Sequence, residues 1–121
     1  MKKILIVDDQ KEVRELVEIT LRVDGYQIFQ AKNGRDAIET AKAHKPDLII
    51  MDIMMPGEMD GIEATRVLKG NPDTNSIKII MLTAKGQSAD FEEGDKAGAD
   101  GYFTKPFSPL DLIKKTEEII E

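Results

Sequence analysis

A chain of 121 residues, 40% of them hydrophobic, is the right size for one domain with a single packed core, so we expect one domain over residues 1–121. Cysteine is absent, which excludes disulfides and thiolate metal ligands and favours a cytoplasmic protein that binds any metal through oxygen. With 23 acidic and 17 basic residues the net charge is −6, and because a phosphate backbone would be repelled we expect no direct binding of nucleic acid.

The first predicted element is a short apolar strand at residues 3–7. Asp8 and Asp9 end its apolar run, which is too short for the core of a signal peptide or for a membrane span. We therefore expect no membrane insertion. Similar continuous runs recur at 46–51 and 77–82, and such runs are typical of parallel strands that are buried on both faces.

Two weaker strands are predicted at 26–31 and 101–104, where apolar and polar residues alternate as they do nearer the edge of a sheet. Helices with apolar residues at helical spacing separate the strands. One helix is predicted from residues 13–23 and ends at 24–25. Another begins at 33–34, and the last begins with a cap at 108–109. The alternation, without linker or repeat, predicts an α/β fold: a flavodoxin-like, doubly wound, five-stranded parallel sheet of order 2-1-3-4-5 with five helices.

Polar residues of selected types follow the predicted strands. They are Asp8 and Asp9 after the first strand, Asp52 after the third, Thr83 after the fourth and Lys105 after the fifth. The carboxyl ends of parallel strands meet at one edge of an open α/β sheet, which is where such folds bind ligands. We therefore expect these side chains to lie close together.

The residue types at this edge suit a metal and a phosphoryl group. Crowded carboxylates raise one another's pKa values unless a cation or a lysine holds them ionised, and Mg²⁺ accepts two or three carboxylates, a carbonyl and water. A phosphoryl group on one acid would need a lysine and a hydroxyl for its remaining oxygens. Taken singly, each residue would be an ordinary polar residue at a strand end, and only their joint placement indicates a site.

Short motifs along nearly the whole chain make it resemble the receiver domains of two-component response regulators, in the manner of single-domain, chemotaxis-type receivers. These motifs are IVDD at 6–9, PDLIIMD at 46–52, MP at 55–56, DG at 60–61, LTA at 82–84 and KPF at 105–107. The resemblance implies a phosphorylation-activated switch. It also implies a phosphoacceptor that supports its own phosphotransfer and slow autodephosphorylation, which is not an enzyme in the usual sense.

The resemblance assigns a role to each residue of the expected site. Asp52 would be the phosphoacceptor, and Mg²⁺ would be held by Asp8, Asp9, Asp52 and the backbone carbonyl of Met54. Thr83 and Lys105 would bind the phosphoryl oxygens, while Thr83 and Tyr102 would move on activation. The Lys105-Pro106 bond would be cis.

The partners implied are a sensor histidine kinase or histidine phosphotransfer protein, which donates the phosphoryl group, and an unknown downstream protein. Two departures from the family pattern stand out. The loop at 56–61 is one residue longer than the commonest spacing, which puts the partner-facing surface there in doubt. The segment 88–97, which the family would fold as a helix, has few apolar residues and a glycine, so we expect a marginally stable helix there.

Three rival functions remain. An aspartyl-nucleophile phosphatase would carry a second acid two residues after the nucleophile, where this chain has Met54. A flavodoxin-like nucleotide binder would present glycines or hydroxyls in its first loop, where this chain has acidic residues. A receiver-like binding module that is never phosphorylated need not contain the complete set of site residues.

Overall fold

The computed structural model describes residues 1–22, 25–55, 57, 59–84, 96–105 and 107–120. Five parallel strands form one sheet in the order β2-β1-β3-β4-β5, which confirms the predicted topology. The strands are β1 (Lys3–Val7), β2 (Gln27–Ala31), β3 (Leu48–Asp52), β4 (Lys78–Ala84) and β5 (Gly101–Lys105). The two weaker strands, β2 and β5, are the outermost strands of the sheet.

Four helices are described, namely α1 (Lys11–Arg22), α2 (Gly34–His44), α3 (Gly61–Lys69) and α4 (Pro109–Ile120). The further helix predicted at 88–97 falls outside the described residues except for Lys96 and Ala97, which are helical. The Lys105-Pro106 bond also falls outside them, as do residues 56 and 58 of the lengthened loop at 56–61. Within the described residues, no helix combines the length and apolar character needed to cross a membrane.

Alternate residues of the central strands enter two separate cores. Leu5, Ile49 and Ile79 pack on one face with the buried residues of α2 and α3. Ile4, Ile50 and Ile80 pack on the other with α1 and α4. Burial on both faces explains why these strands read as continuous apolar runs, and it fixes the register, because a slip of one residue would exchange the two faces.

The helix starts on the α2 and α3 face are set by side-chain caps. Asn33 accepts a hydrogen bond from the backbone N–H of Asp36 at 2.8 Å, and Asp60 accepts one from that of Glu63 at 2.9 Å. Each cap satisfies one of the N–H groups that a helix start leaves without a partner. Both helices therefore begin at a defined residue close to the carboxyl edge of the sheet.

Two strands are longer than the sequence pattern indicates. β4 continues to Ala84 and β5 to Lys105, and the register pairs Thr83 with Thr104 and Ala84 with Lys105. Polar side chains do not interrupt a ladder of backbone hydrogen bonds, so a run of apolar residues underestimates strand length at this edge. Thr83 and Lys105 consequently lie on the sheet and not in loops after it.

Candidate functional site

Asp8 is the most firmly held residue at the carboxyl edge. It follows β1 directly and is fully buried, at 0% exposure. Its Oδ1 accepts from the backbone N–H of Gln10 at 2.9 Å, and its carbonyl accepts from Nη1 of Arg14 at 2.7 Å. Its Oδ2 accepts from Nζ of Lys105 at 3.0 Å. Every oxygen of Asp8 thus has a donor, which fixes the orientation of the carboxylate.

Asp52 is the last residue of β3 and lies beside Asp8. It is 5% exposed, and its Oδ1 lies 3.3 Å from Nζ of Lys105. Lys105 therefore reaches both buried acids from the end of β5. Asp9, next to Asp8, is exposed. One carboxylate oxygen from each of Asp8, Asp9 and Asp52 lies within 4.8 Å of the others, which is close enough for one cation to contact all three.

The pKa of Asp52 is raised from 3.8 to about 6. Burial is the largest cause and the negative charge of Asp8 is the next, while Lys105 and the backbone N–H of Met54 act in the opposite direction. Burial lowers the pKa of Lys105, but its hydrogen bond to Asp8 and the charge of Asp52 outweigh burial and leave the pKa above its usual value. The lysine stays charged, and the site still carries more negative than positive charge.

Thr83 and Tyr102 lie on neighbouring strands next to this cluster. Thr83 is 1% exposed in β4, and Tyr102 is half-buried in β5, where it packs against the core under α2 and α3. Tyr102 pairs with Met81 and Thr104 with Thr83, so Thr83 and Tyr102 share one face of the sheet and Thr83 is nearer the carboxyl edge.

Sequence reasoning assigned no role to two residues that shape the site. Arg14 crosses from α1 to the carbonyl of Asp8, and its Nε also donates to Oε1 of Gln30 at 2.9 Å. Gly61, at the start of α3, lies directly against the backbone of Asp52. A glycine placed immediately after the helix cap Asp60 was the available signal for such a close approach, since a residue without Cβ is needed where backbones meet.

The comparisons with known proteins agree with the described fold. The family model for the response regulator receiver domain matches residues 4–117. The phosphate regulon transcriptional regulatory protein PhoB of Pseudomonas aeruginosa is 44% identical over 119 residues, which are 98% of this chain and 52% of that protein. The alkaline phosphatase synthesis transcriptional regulatory protein PhoP of Bacillus subtilis is 40% identical over 119 residues, which are 98% of this chain and 48% of that protein.

This chain therefore spans about half the length of the curated relatives that it matches. Among solved structures, the chemotaxis protein CheY4 of Vibrio cholerae aligns with a TM-score of 0.92 and 34% identity, over 98% of both chains. The whole described fold is thus shared with a solved structure, whereas the similarity to the longer relatives concerns only part of their length.

Proposed function

This chain belongs to the response regulator receiver domain family, and on that premise we propose that Asp52 accepts a phosphoryl group from the phosphohistidine of a sensor histidine kinase or a histidine phosphotransfer protein. Receiver domains are phosphoacceptors and not enzymes in the usual sense. The observation that carries the proposal is the position of Lys105, whose Nζ lies 3.0 Å from Asp8 and 3.3 Å from Asp52. A buried acid beside a lysine and a second acid is the arrangement that a transferred phosphoryl group requires.

Asp52 acts as the nucleophile in this proposal. One of its oxygens bonds to phosphorus while the P–N bond of the donor breaks, and the departing imidazole takes up a proton from water. Because its pKa is about 6, Asp52 is mostly ionised at neutral pH and is able to react. Lys105 then keeps its contact with Asp8 while it neutralises a phosphoryl oxygen, and the hydroxyl of Thr83 donates to another.

The donor set fits Mg²⁺. Three carboxylates converge within 4.8 Å, all possible ligands are oxygens, and a single lysine leaves negative charge over for a cation to balance. Asp8, Asp9, Asp52 and the backbone carbonyl of Met54 would hold the ion. When bound, Mg²⁺ supplies positive charge that stabilises the phosphoryl oxygens during transfer.

We infer that phosphorylation is read out through Thr83 and Tyr102. Thr83 is buried on the same face as Tyr102, so its movement toward a phosphoryl group would vacate space that Tyr102 can occupy. A downstream protein would bind the changed face. The acyl phosphate would be lost by slow autodephosphorylation, because the position of a second catalytic acid is occupied by Met54.

Labelling with a small phosphodonor tests the proposal. Acetyl phosphate with Mg²⁺ should produce one hydroxylamine-sensitive acyl phosphate per chain in the wild type and none in Asp52→Asn, and beryllofluoride should perturb the same residues. Equal labelling with Mg²⁺ and with excess chelator would show that phosphorylation does not need the metal. A stoichiometric acyl phosphate on Asp52→Asn would place the acceptor elsewhere.

A further inference from the structure

The start of helix α3 lies against the backbone that carries the proposed phosphoacceptor. A Cβ at Gly61 would lie 2.1 Å from the carbonyl oxygen of Asp52, 2.9 Å from its carbonyl carbon and 2.9 Å from Cα of Ile53. All three are backbone atoms at the end of a buried central strand, so none can turn aside as a flexible side chain would. Only glycine fits at this contact.

We propose that Gly61 is a positioning residue for phosphotransfer, which lets α3 approach closely enough to fix the backbone of Asp52 and the metal-binding loop after it. This inference rests on the proposed function. Gly61 never touches the phosphoryl group, and its effect is exerted through Asp52 and Met54.

Hydrogen bonds hold Gly61 on both sides. Its N–H donates to the carbonyl of Ile53 at 3.0 Å, and its own carbonyl accepts from Oγ1 of Thr65 at 2.8 Å inside the buried start of the helix. The first of these bonds closes residues 53–61 into a loop whose two ends are adjacent. Met54 follows Ile53 directly, so this bond restrains the backbone immediately before the carbonyl proposed to bind Mg²⁺.

The same closure explains how a longer loop can be accommodated. The extra residue of the 56–61 segment lies between two fixed points, the carbonyl of Ile53 and the N–H of Gly61. Met55 is buried and Met59 is half-buried against the core, so both flanks of the inserted stretch are anchored. A change in length between them need not displace Asp52.

Helix α2 offers a matched control, because it also begins with a cap followed by glycine. A Cβ at Gly34 would lie 2.9 Å from Cγ, 3.0 Å from the carbonyl oxygen and 3.2 Å from Cβ of Met59. The crowding is milder, because the nearest atom lies at 2.9 Å against 2.1 Å and belongs to a side chain that can shift, and none of these atoms belongs to Asp52. Gly34→Ala therefore adds a methyl group at a helix start without affecting the geometry of the acceptor.

The test compares Gly61→Ala with Gly34→Ala in labelling by acetyl phosphate across a Mg²⁺ titration, with rates expressed per folded protein from circular dichroism. A displacement of about 1 Å at a reacting group lowers rates about 100-fold, and we expect a loss of that order in the maximal rate of Gly61→Ala. Its half-saturating Mg²⁺ concentration should rise about tenfold. Gly34→Ala should label like the wild type.

Amide chemical shifts give a second readout that a purely structural role would not change. In folded Gly61→Ala, the shifts induced by Mg²⁺ at Asp52, Ile53 and Met54 should shrink, while those at Asp8 persist. Labelling and Mg²⁺ response equal to those of Gly34→Ala would overturn the inference. Absence of labelling in the wild type would instead refute the proposed function, so the two failures are distinguishable.

If Gly61→Ala does not fold, the caps provide a milder pair. Asp60→Ala loosens the start of α3 and Asn33→Ala loosens that of α2, and each removes one capping hydrogen bond. Asp60→Asn retains a cap without the charge and should behave like the wild type. A higher half-saturating Mg²⁺ concentration in Asp60→Ala alone supports the inference, and equal values in the two alanine variants overturn it.

Discussion

A lysine bridges separate elements at the amino edge of the sheet, where the strands begin, and another does so at the carboxyl edge, where they end. The charges around the two lysines differ. At the amino edge, Nζ of Lys69 at the end of α3 donates to Oδ2 of Asp100 at 2.9 Å and to the carbonyl of Ile77 at 2.7 Å. The same oxygen of Asp100 accepts from the N–H of Ile79 at 2.8 Å. One positive charge meets one negative charge, and backbone groups complete the hydrogen bonding.

At the carboxyl edge, Lys105 meets two buried acids, and the exposed Asp9 adds a third negative charge nearby. The first arrangement joins α3 to the strand starts and is satisfied by itself. The second leaves negative charge in excess, and burial together with the charge of Asp8 raises the pKa of Asp52. The contrast separates an ion pair that stabilises the fold from a cluster whose charges are available for chemistry.

The largest expected effect on stability comes from removing a charge at the carboxyl edge. The Asp52 pKa of about 6 against 3.8 when unfolded is a difference of about two units, or about 3 kcal/mol. Because the folded pKa is the higher one, the contribution of Asp52 to stability is greatest below about pH 4 and is lost as pH rises through about 6. Asp52→Asn lacks this loss and should be more stable by up to about 3 kcal/mol at pH 7 without Mg²⁺.

Urea unfolding of wild type and Asp52→Asn between pH 4 and 8 measures this difference. The gain from the substitution should shrink steadily toward pH 4. A difference that is constant with pH, or a less stable variant at pH 7, would show that folding does not raise the pKa of Asp52.

The opposite sign is expected at the amino edge. Lys69→Met keeps the apolar stem but removes the donor to Asp100 and Ile77, so a partly buried carboxylate loses its countercharge. With 17% of the Lys69 side chain exposed, solvent screens part of this loss, and we expect destabilisation of about 2 kcal/mol. Lys78→Met, at an exposed position of the same edge, should change stability by less than about 0.5 kcal/mol.

The rate of phosphorylation by acetyl phosphate tests whether Lys69 has a purely structural role. Folded Lys69→Met should be labelled at the wild-type rate, because Lys69 lies at the opposite end of the strands from Asp52. A slower rate per folded chain would mean that the amino edge influences the site and is not merely structural.

The two edges also differ in how far sequence could predict them. Continuous apolar runs that end at Asp8 and Asp52 indicated buried parallel strands and placed their polar ends together, since in a parallel sheet the strand ends alone determine that edge. The ion pair of Lys69 and Asp100 had no such signal. Its partners are 31 residues apart and come from a helix end and a loop, which only the packing of α3 on the sheet brings together.

The partners of local contacts at the carboxyl edge likewise do not follow from the sequence. Arg14 reads as one polar residue among many on α1, and its bond to the carbonyl of Asp8 depends on how the helix lies over the strand end. The close approach of Gly61 depends in the same way on where α3 begins. Residue type and spacing identify groups that do chemistry, whereas the residues that position them are determined by tertiary packing.

A smaller effect is expected from Mg²⁺, because it acts by mass action on the folded state. At ten times its Kd, a ligand that binds only the folded protein stabilises it by about 1.4 kcal/mol. Wild type and Lys69→Met should gain this amount equally, whereas Asp52→Asn should gain less after loss of one carboxylate. Thermal unfolding with Mg²⁺ and with chelator measures the gain in stability. An equal gain in Asp52→Asn would show that Asp52 is not a ligand of the metal.

The sharpest contrast between the two bridging lysines, with the smaller change in stability, is expected for Lys105→Met in saturating Mg²⁺. The substitution removes a charged group from a side chain that is only 28% exposed, while the cation continues to balance Asp8 and Asp52, so gains and losses nearly cancel. We expect a change within about 1 kcal/mol, smaller than that for Lys69→Met.

Phosphorylated or beryllofluoride-treated Lys105→Met should nevertheless lack the chemical-shift change at Tyr102, because the phosphoryl group loses its contact with a residue of β5. Nuclear magnetic resonance of the Tyr102 ring measures this, and an unchanged activation shift would show that Lys105 does not couple phosphorylation to the response.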